Sequence, residues 1–391
     1  MSTAKRDGDH CLRARRAPTA VDLYCGCGGL TTGLKQAGFR VLGAVDVDPL
    51  AVLTYGANHP EVEIWRVDIR DLDPLEVLSR VKLKQGELDL LAGCPPCQGF
   101  SALRTLNGAL DVNDPRNDLV DEFARFAAAF RPKAIMLENV PALRNDPRFG
   151  RFCHVLSEMG YSAAFRVLDV VNYGVPQRRK RLIYLAGNGF AIPFARPSRR
   201  ILTVREAIGG LRPRGQSGDA IHDLPEQRSP RVQRLIDHIP KNGGSRKDLP
   251  ARYQLACHRR TNGFSDVYGR IAWDKPAPTI TSGCTNPSKG RFLHPSENRA
   301  ITVREAALLQ GFPPRYRFPD VSSKEALASL IGNALPPPFV ARHARRIRSL
   351  LEVATAEAPR ITRHTRSSRG RGEQGYDVWL TFDRWEGGPS V

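Results

Sequence analysis

Short apolar runs alternate with helical stretches from residue 18 to about 190. Residues 20–24 (AVDLY) predict a strand, followed by a glycine-rich turn and a helix through Leu34. Residues 41–45 (VLGAV) predict a second strand that ends in Asp46 and leads to a helix whose first turn holds Pro49. Residues 88–92 and 134–137 predict two more, separated by a helical run over 119–130. Residues 165–170 and 182–185 complete the set. Strands alternating with helices of about 10–15 residues argue for an α/β fold, a doubly wound, mostly parallel sheet covered on both faces.

After Gly187 the pattern breaks up. Arg-Pro and glycine punctuation interrupts any long period, but residues 232–239 and 270–273 carry apolar anchors, which predicts a smaller, irregular folded domain. Helical patterning returns over 302–309, 324–331 and 339–353. From Ala354 the tail is rich in Arg, Ser and Gly, a composition that predicts disorder for at least its first half. No internal repeat is evident.

Charge adds a partner to this picture. The 391 residues carry 59 Lys+Arg against 40 Asp+Glu, a net charge of +19. Residues 191–260 alone hold 15 Lys+Arg against 6 Asp+Glu, so the irregular region is the basic one. Such an excess points to a polyanion, with nucleic acid ahead of an acidic membrane surface. The uncharged stretch between Arg181 and Arg196 contains Gly187, Asn188, Gly189 and Pro193 and falls short of the roughly 20 apolar residues of a span. The basic N-terminus is followed by no apolar core, so it does not read as a secretory signal. The eight cysteines are scattered, as expected of reduced thiols in a cytoplasmic protein.

Three places carry candidate chemistry. The turn from Asp22 to Gly29 (DLYCGCGG) follows a strand and opens a helix, where glycines let backbone approach a ligand. Asp46, a little over 20 residues after Asp22, ends the next strand and can take ribose hydroxyls; Asp68 is placed to end the third strand. Cys94-Pro-Pro-Cys97 follows the fourth strand and admits three readings: a redox dithiol, half a zinc site with Cys25 and Cys27, or a thiol nucleophile on a Pro-stiffened turn. Glu138 ends the strand after Leu137 and so lies on the same sheet edge; a carboxylate among apolar neighbours needs a partner or a function.

These residues stand in blocks whose order resembles the DNA (cytosine-5) methyltransferases of bacterial type, from about residue 18 to 345. The blocks are residues 22–29 with 31–39; Asp46-Val-Asp48-Pro; Asp68-Ile69; residues 93–101 (GCPPCQGFS); Glu138-Asn139-Val140; and residues 173–181 (YGVPQRRKR). Arg304-Glu305 to Gln310-Gly-Phe-Pro and Ile331-Gly332-Asn333-Ala334 close the series. Cys94, Cys25, Cys27, Val47 and Ala334 depart from the usual residues at their positions.

The resemblance implies the class I fold of S-adenosylmethionine-dependent methyltransferases and a methyl transfer to C5 of a cytosine flipped out of duplex DNA. It implies Cys97 as nucleophile at C6, Glu138 at N3 and the exocyclic amine, and Arg181 with Arg179 at O2. S-adenosylmethionine would lie over Tyr24, Gly26, Gly28 and Gly29, with Asp46 and Val47 at ribose and adenine, Asp68 and Ile69 at the adenine, and Asn333 and Ala334 at the amino-acid end. Gln98, Ser101 and Gln177 are expected on the DNA, residues 103–117 as a mobile cover, and no metal is called for. The expected division is a basic extension (1–17), a catalytic and cofactor-binding domain (18–187), a target-recognition domain (188–290), a C-terminal part (291–353, of which 325–353 returns to the catalytic domain) and a basic tail (354–391). The expected protein is a monomer, associated with the nucleoid through DNA and paired functionally with a restriction endonuclease or acting as an orphan methylase. A tRNA-methylating relative of the same fold and a catalytically silent DNA-binding module are the rival readings.

Overall fold

The computed structural model describes residues 16–96, 118–254, 266–319 and 323–356. Residues 1–15 of the N-terminal extension, the expected cover over 103–117 and the tail beyond 356 lie outside the described residues.

In chain order the elements are β1 (Thr19–Leu23), α1 (Gly29–Gln36), β2 (Arg40–Asp46), α2 (Pro49–Asn58), β3 (Glu63–Arg66), α3 (Pro74–Arg80) and β4 (Leu90–Gly93). There follow α4 (Leu119–Phe130), β5 (Ala134–Asn139), α5 (Pro147–Glu158), β6 (Tyr161–Asp169) and β7 (Lys180–Asn188). Beyond the sheet come α6 (Val204–Ile208), α7 (Ala220–Asp223), α8 (Pro230–His238), α9 (Val303–Leu309), α10 (Lys324–Asn333) and α11 (Pro337–Ala356). The seven strands form one sheet in the order β3-β2-β1-β4-β5-β7-β6. Only β7 runs against the others, pairing antiparallel with both β5 and β6. The doubly wound, mostly parallel sheet is therefore present, closed on one side by an antiparallel hairpin pair.

Alternate residues of each strand go to opposite faces, as the pleat requires. Ala20, Leu90, Ala134 and Ile183 join α1 and α11 through Leu34, Phe339, Val340 and Ala344 on one face. Val21, Leu91, Ile135 and Leu182 meet Phe123, Phe126, Phe130 and Phe152 of α4 and α5 on the other. Helix starts follow one local rule. Asp48-Pro49, Asp73-Pro74 and Asp146-Pro147 each put a carboxylate at the N-cap, accepting from a backbone N–H of the first turn, and a proline at the first helical position. α3 and α5 begin this way and were not among the expected elements, although α5 buries Phe149, Phe152 and Leu156 at helical spacing.

The strand boundaries depart from expectation at one functional point. β3 ends at Arg66, and Asp68 stands beyond it as the cap of a 3-10 turn, Ile69–Asp71. The expected absence of repeats also fails at short range. Thr-Val-Arg-Glu-Ala occurs at 203–207 and again at 302–306, and each copy opens a helix with a capping box between its Thr and its Glu.

The basic region is folded. α6, α9 and α10 share a core with Ile271, Ile280 and Phe292, and α8 gathers Leu249, Tyr268 and Leu293 into a smaller one. Arg270, fully buried, holds the latter together by donating to the carbonyls of Ile236, Ile239 and His294 at 2.9–3.1 Å and to the Asn298 side chain at 2.6 Å. A guanidinium with its donors used in this way substitutes hydrogen bonds for the apolar contacts a larger core would provide.

Candidate active site

The carboxyl ends of β1, β2, β4 and β5 and the end of α10 enclose a cavity of about 430 Å³. This is the edge where open α/β sheets bind ligands, and the volume lies in the range of small-molecule sites. Its wall includes Tyr24, Gly26, Gly29, Asp46, Val47, Asp68, Ile69, Glu138, Arg179, Arg181, Asn333 and Ala334. The structure thus brings together, from six separated stretches, nearly every described residue expected at the site.

The floor is the β1–α1 turn. Tyr24, Gly26 and Gly28 all take positive φ, and the Tyr24 hydroxyl donates to the Leu119 carbonyl at 2.6 Å, which fixes the turn against α4. Asp46 holds the same turn from β2: one oxygen accepts from Gly26 N–H at 2.8 Å and the other from Asp48 N–H at 2.9 Å. Burial raises the Asp46 pKa, and the backbone donors oppose that rise. Gly28 is absent from the cavity wall. It caps α1 in a left-handed conformation, φ +89°, and a Cβ there would strike the Tyr316 hydroxyl and the His59 ring.

Tyr316 and His59 were not foreseen as site residues. The Tyr316 hydroxyl donates to the Cys27 carbonyl at 2.5 Å and lies 3.2 Å from His59 Nε2, so a ring almost 290 residues downstream braces the turn. Each ring comes from a segment whose local pattern carries no chemistry, so only the assembled fold reveals them.

On the opposite wall, Arg181 Nε stands 2.7 Å from Glu138 Oε1, and both side chains are largely buried. The pair joins the ends of two antiparallel neighbours, β5 and β7. The Pro95-Pro96 turn that leads toward Cys97 is held beside it, because Asn139 Nδ2 donates to the Pro95 carbonyl at 3.0 Å. Cys94 also lines the cavity; burial first and the Glu138 charge second push its thiol pKa well above the usual value, so it stays protonated. Cys97, Gln98 and Ser101 lie outside the described residues.

One expectation needs revision, and two other residues have protein partners of their own. Gln177 is fully buried: its amide donates to the Leu309 carbonyl at 3.1 Å and to Gln310, and its oxygen accepts from Ile280 N–H at 3.0 Å. It fastens β7's approach to the C-terminal part and has no surface to offer DNA. Arg179 reaches the cavity but spends its terminal nitrogens on the carbonyls of Ile280 and Gly332, both at 2.8 Å. Burial, with the neighbouring Arg181, lowers its pKa to about 9. Arg179 is a bracket for α10, leaving Arg181 as the arginine beside Glu138. The Asp68 carboxylate accepts from the Arg70 backbone and guanidinium, at 3.0 and 2.9 Å, and at the cavity rim it keeps acceptor sites for a ligand.

Among the described residues no group of three or more His, Cys, Asp or Glu side chains is placed to hold a metal. Cys25 and Cys27 are buried, and Cys27 Sγ donates to the Leu330 carbonyl at 3.6 Å. Among the described residues, no helix is long and apolar enough to cross a membrane.

The fold is shared with methyltransferases: the structure of Entamoeba histolytica methyltransferase EhMeth matches with a TM-score of 0.61 at 14% identity, over 86% of this chain and 99% of that one. Residues 19–349 match the model of the C-5 cytosine-specific DNA methylases, and the chain belongs to that family. It is 35% identical over 350 residues to the type II methylase M.HgiDII of Herpetosiphon aurantiacus, covering 85% of this chain and 95% of the relative. With the type II methyltransferase M1.HphI of Haemophilus parahaemolyticus it shares 32% over 326 residues, 82% and 83% of the two chains.

Proposed function

We propose that the chain methylates C5 of a cytosine flipped from a specific duplex DNA sequence, through a covalent Cys97 adduct, as the modification enzyme of a type II restriction-modification system. The observation that carries this reading is the Glu138–Arg181 pair at 2.7 Å on one wall of the cavity whose floor is the Asp46-braced glycine turn. One wall fits a base edge and the other a nucleoside.

The residues present fit S-adenosylmethionine. Asp46 ends β2 with its carboxylate fixed by two backbone donors, Val47 presents a 63% exposed apolar side chain at the cavity rim, and Asn333 stands at the far end. S-adenosylmethionine would supply the methyl group. Tyr24, Gly26 and Gly29 would cradle it, Asp46 would take the ribose, Val47 and Ile69 the adenine, and Asn333 with Ala334 the amino-acid end.

Cytosine C5 is a poor nucleophile until a thiolate adds at C6. Cys97, delivered by the Pro95-Pro96 turn, would make that bond, and the ring electrons would then reside at C5 and N3. Glu138 would hydrogen-bond N3 and the amine, and Arg181 would hold O2 while keeping Glu138 in place. Once C5 carries the methyl group, loss of its proton expels Cys97 and restores the aromatic ring. The base leaves the helix to reach the cavity, and the basic region of 188–290 would contact phosphates and base edges.

The test is trapping. A duplex with 5-fluorocytosine at the target position can accept Cys97 and methyl but has no C5 proton to lose. The expected product is a denaturant-resistant complex that forms only with S-adenosylmethionine, has the mass of protein plus duplex strand plus methyl, and maps to Cys97. No adduct, or one without added methyl donor, would overturn the mechanism; equal trapping on tRNA would favour the tRNA reading.

A further inference from the structure

The outer face of α11 carries positive charge that the catalytic cavity does not use. Arg342, Arg345 and Arg346, spaced to share one helix face, meet Arg196 across an open groove of about 510 Å³ completed by Ala195 and Ser349. Among the described residues no carboxylate lines this groove. Outside the groove, Arg166 of β6 sets its guanidinium 5.1 Å from the ring of Phe194, the residue before Ala195. The contrast with Arg348 on the same helix is direct, since that residue is paired with Glu352 at 2.8 Å. Of the four guanidiniums only Arg345 has an acceptor among the described residues, the Gln36 carbonyl at 3.3 Å. Glu352 lines the adjoining groove with Arg345 and Ser349 but is paired with Arg348. The four guanidiniums therefore repel one another unless an anion joins them, and their planar forks suit phosphate oxygens.

The groove lies beside the cavity yet outside it. Leu335 lines the cavity, and at about 1.5 Å per residue Arg342 and Arg346 stand roughly 10–16 Å further along. We propose that this groove is a second contact for duplex DNA, binding backbone phosphates away from the target base. The proposal rests on the reading of duplex DNA as substrate. That substrate brings the required polyanion to this enzyme, with a charge about every 1.7 Å of helix axis, at each binding event. The consequence is a sequence-independent hold on DNA flanking the target base.

The experiment uses the full chain carrying Arg342→Gln and Arg346→Gln together, and a companion with Lys at the same two positions. The probe is a duplex of about 40 base pairs centred on a site found by bisulfite mapping. The Gln variant should bind this duplex at least tenfold more weakly, with the slope of log K against log salt reduced by about 2, at about 0.9 per lost phosphate contact. At saturating duplex its methylation rate should match wild type, and the Lys variant should keep the wild-type slope. An unchanged slope overturns the proposal. So does a methylation rate that stays low at saturating duplex, which would place the groove in the target cleft or report a damaged fold. Displacement of the duplex by single-stranded RNA at lower concentration than by duplex competitor would assign the groove to RNA instead. If wild type does not methylate the duplex, the proposed function fails, while the binding slopes still decide the groove.

Discussion

Glu138 and Arg181 illustrate how a single pair sets what the cavity can do. Each is largely buried, and each offsets the desolvation cost of the other, so removing one leaves the partner's charge without compensation. Glu138→Gln should lower kcat by about 10²–10³, the range seen when a transition-state hydrogen-bond partner is lost, and slow the trapping of 5-fluorocytosine; kcat within threefold of wild type would remove Glu138 from the chemistry. Cys97→Ser should retain methyl-donor binding and lose turnover, because a hydroxyl is far less ionised than a thiol. Cys94→Ala should be nearly silent, since its thiol is held protonated by burial and the Glu138 charge. A matching loss at Cys94 would instead implicate the dithiol. Glu138 was legible in the sequence because a carboxylate at the end of an apolar strand demands a reason. Tyr316 was not, because its task depends on reaching Cys27 across the fold. Tyr316→Phe should weaken methyl-donor binding about tenfold with kcat preserved, the effect of one lost hydrogen bond of about 1.4 kcal/mol; equal binding in a titration would show that the turn needs no brace.

α1 and α11 pack so closely that a side chain at Gly33 would meet Val340 and the Pro337 carbonyl. The contact matters for the site because α11 begins just after Leu335, a cavity residue, and α1 begins at the glycine turn. Gly33→Ala should therefore cost about 1–3 kcal/mol by overpacking, even though alanine is the better helix former. Denaturant unfolding should show a lower midpoint at unchanged slope, and a variant more stable than wild type would mean that the helices separate freely. Elements with strong apolar periodicity were legible at this scale, α4 over its full length among them. α3 and α5 were missed, although α5 sets Phe149, Phe152 and Leu156 on one face and Asp73-Pro74 and Asp146-Pro147 repeat the start signal of Asp48-Pro49. The reversed direction of β7 also left no mark, since a strand buried on both faces reads the same either way. Gln177 was misread, and Arg179 read only in part, for a related reason. Motif position places them at the site, but whether a polar side chain faces a ligand or a carbonyl is decided by segments far away, here Ile280, Gln310 and Gly332.

The molecule as a whole buries titratable groups that pull its stability in opposite directions with pH. Burial lowers the pKa of His59, His294 and His343 to about 4, from 6.5 in an exposed imidazole. Between those values the unfolded chain binds protons that the folded one refuses, so each histidine contributes stability above pH 6.5 that is lost as pH falls toward 4. Asp22 acts in the opposite sense. It is fully buried beneath the glycine turn, where Thr31 Oγ1 donates to it at 2.7 Å, and burial raises its pKa from 3.8 to about 7. The folded state then holds a proton that the unfolded chain has given up, so its contribution is complete below about pH 4 and is lost as pH rises through 7. Three histidines against two raised carboxyls, Asp22 and Asp46, should make the melting temperature fall on acidification from pH 7 to pH 4.5, with the carboxyls softening the fall. Asp22→Asn keeps an acceptor for Thr31 and removes the titration. This variant should melt higher than wild type at pH 8 and lose stability more steeply toward pH 4.5. Thermal unfolding at half-unit pH steps measures both slopes. A wild-type melting temperature that is flat or rising on acidification would show that the histidines reach solvent, and parallel curves for the two proteins would show that Asp22 is already ionised in the fold.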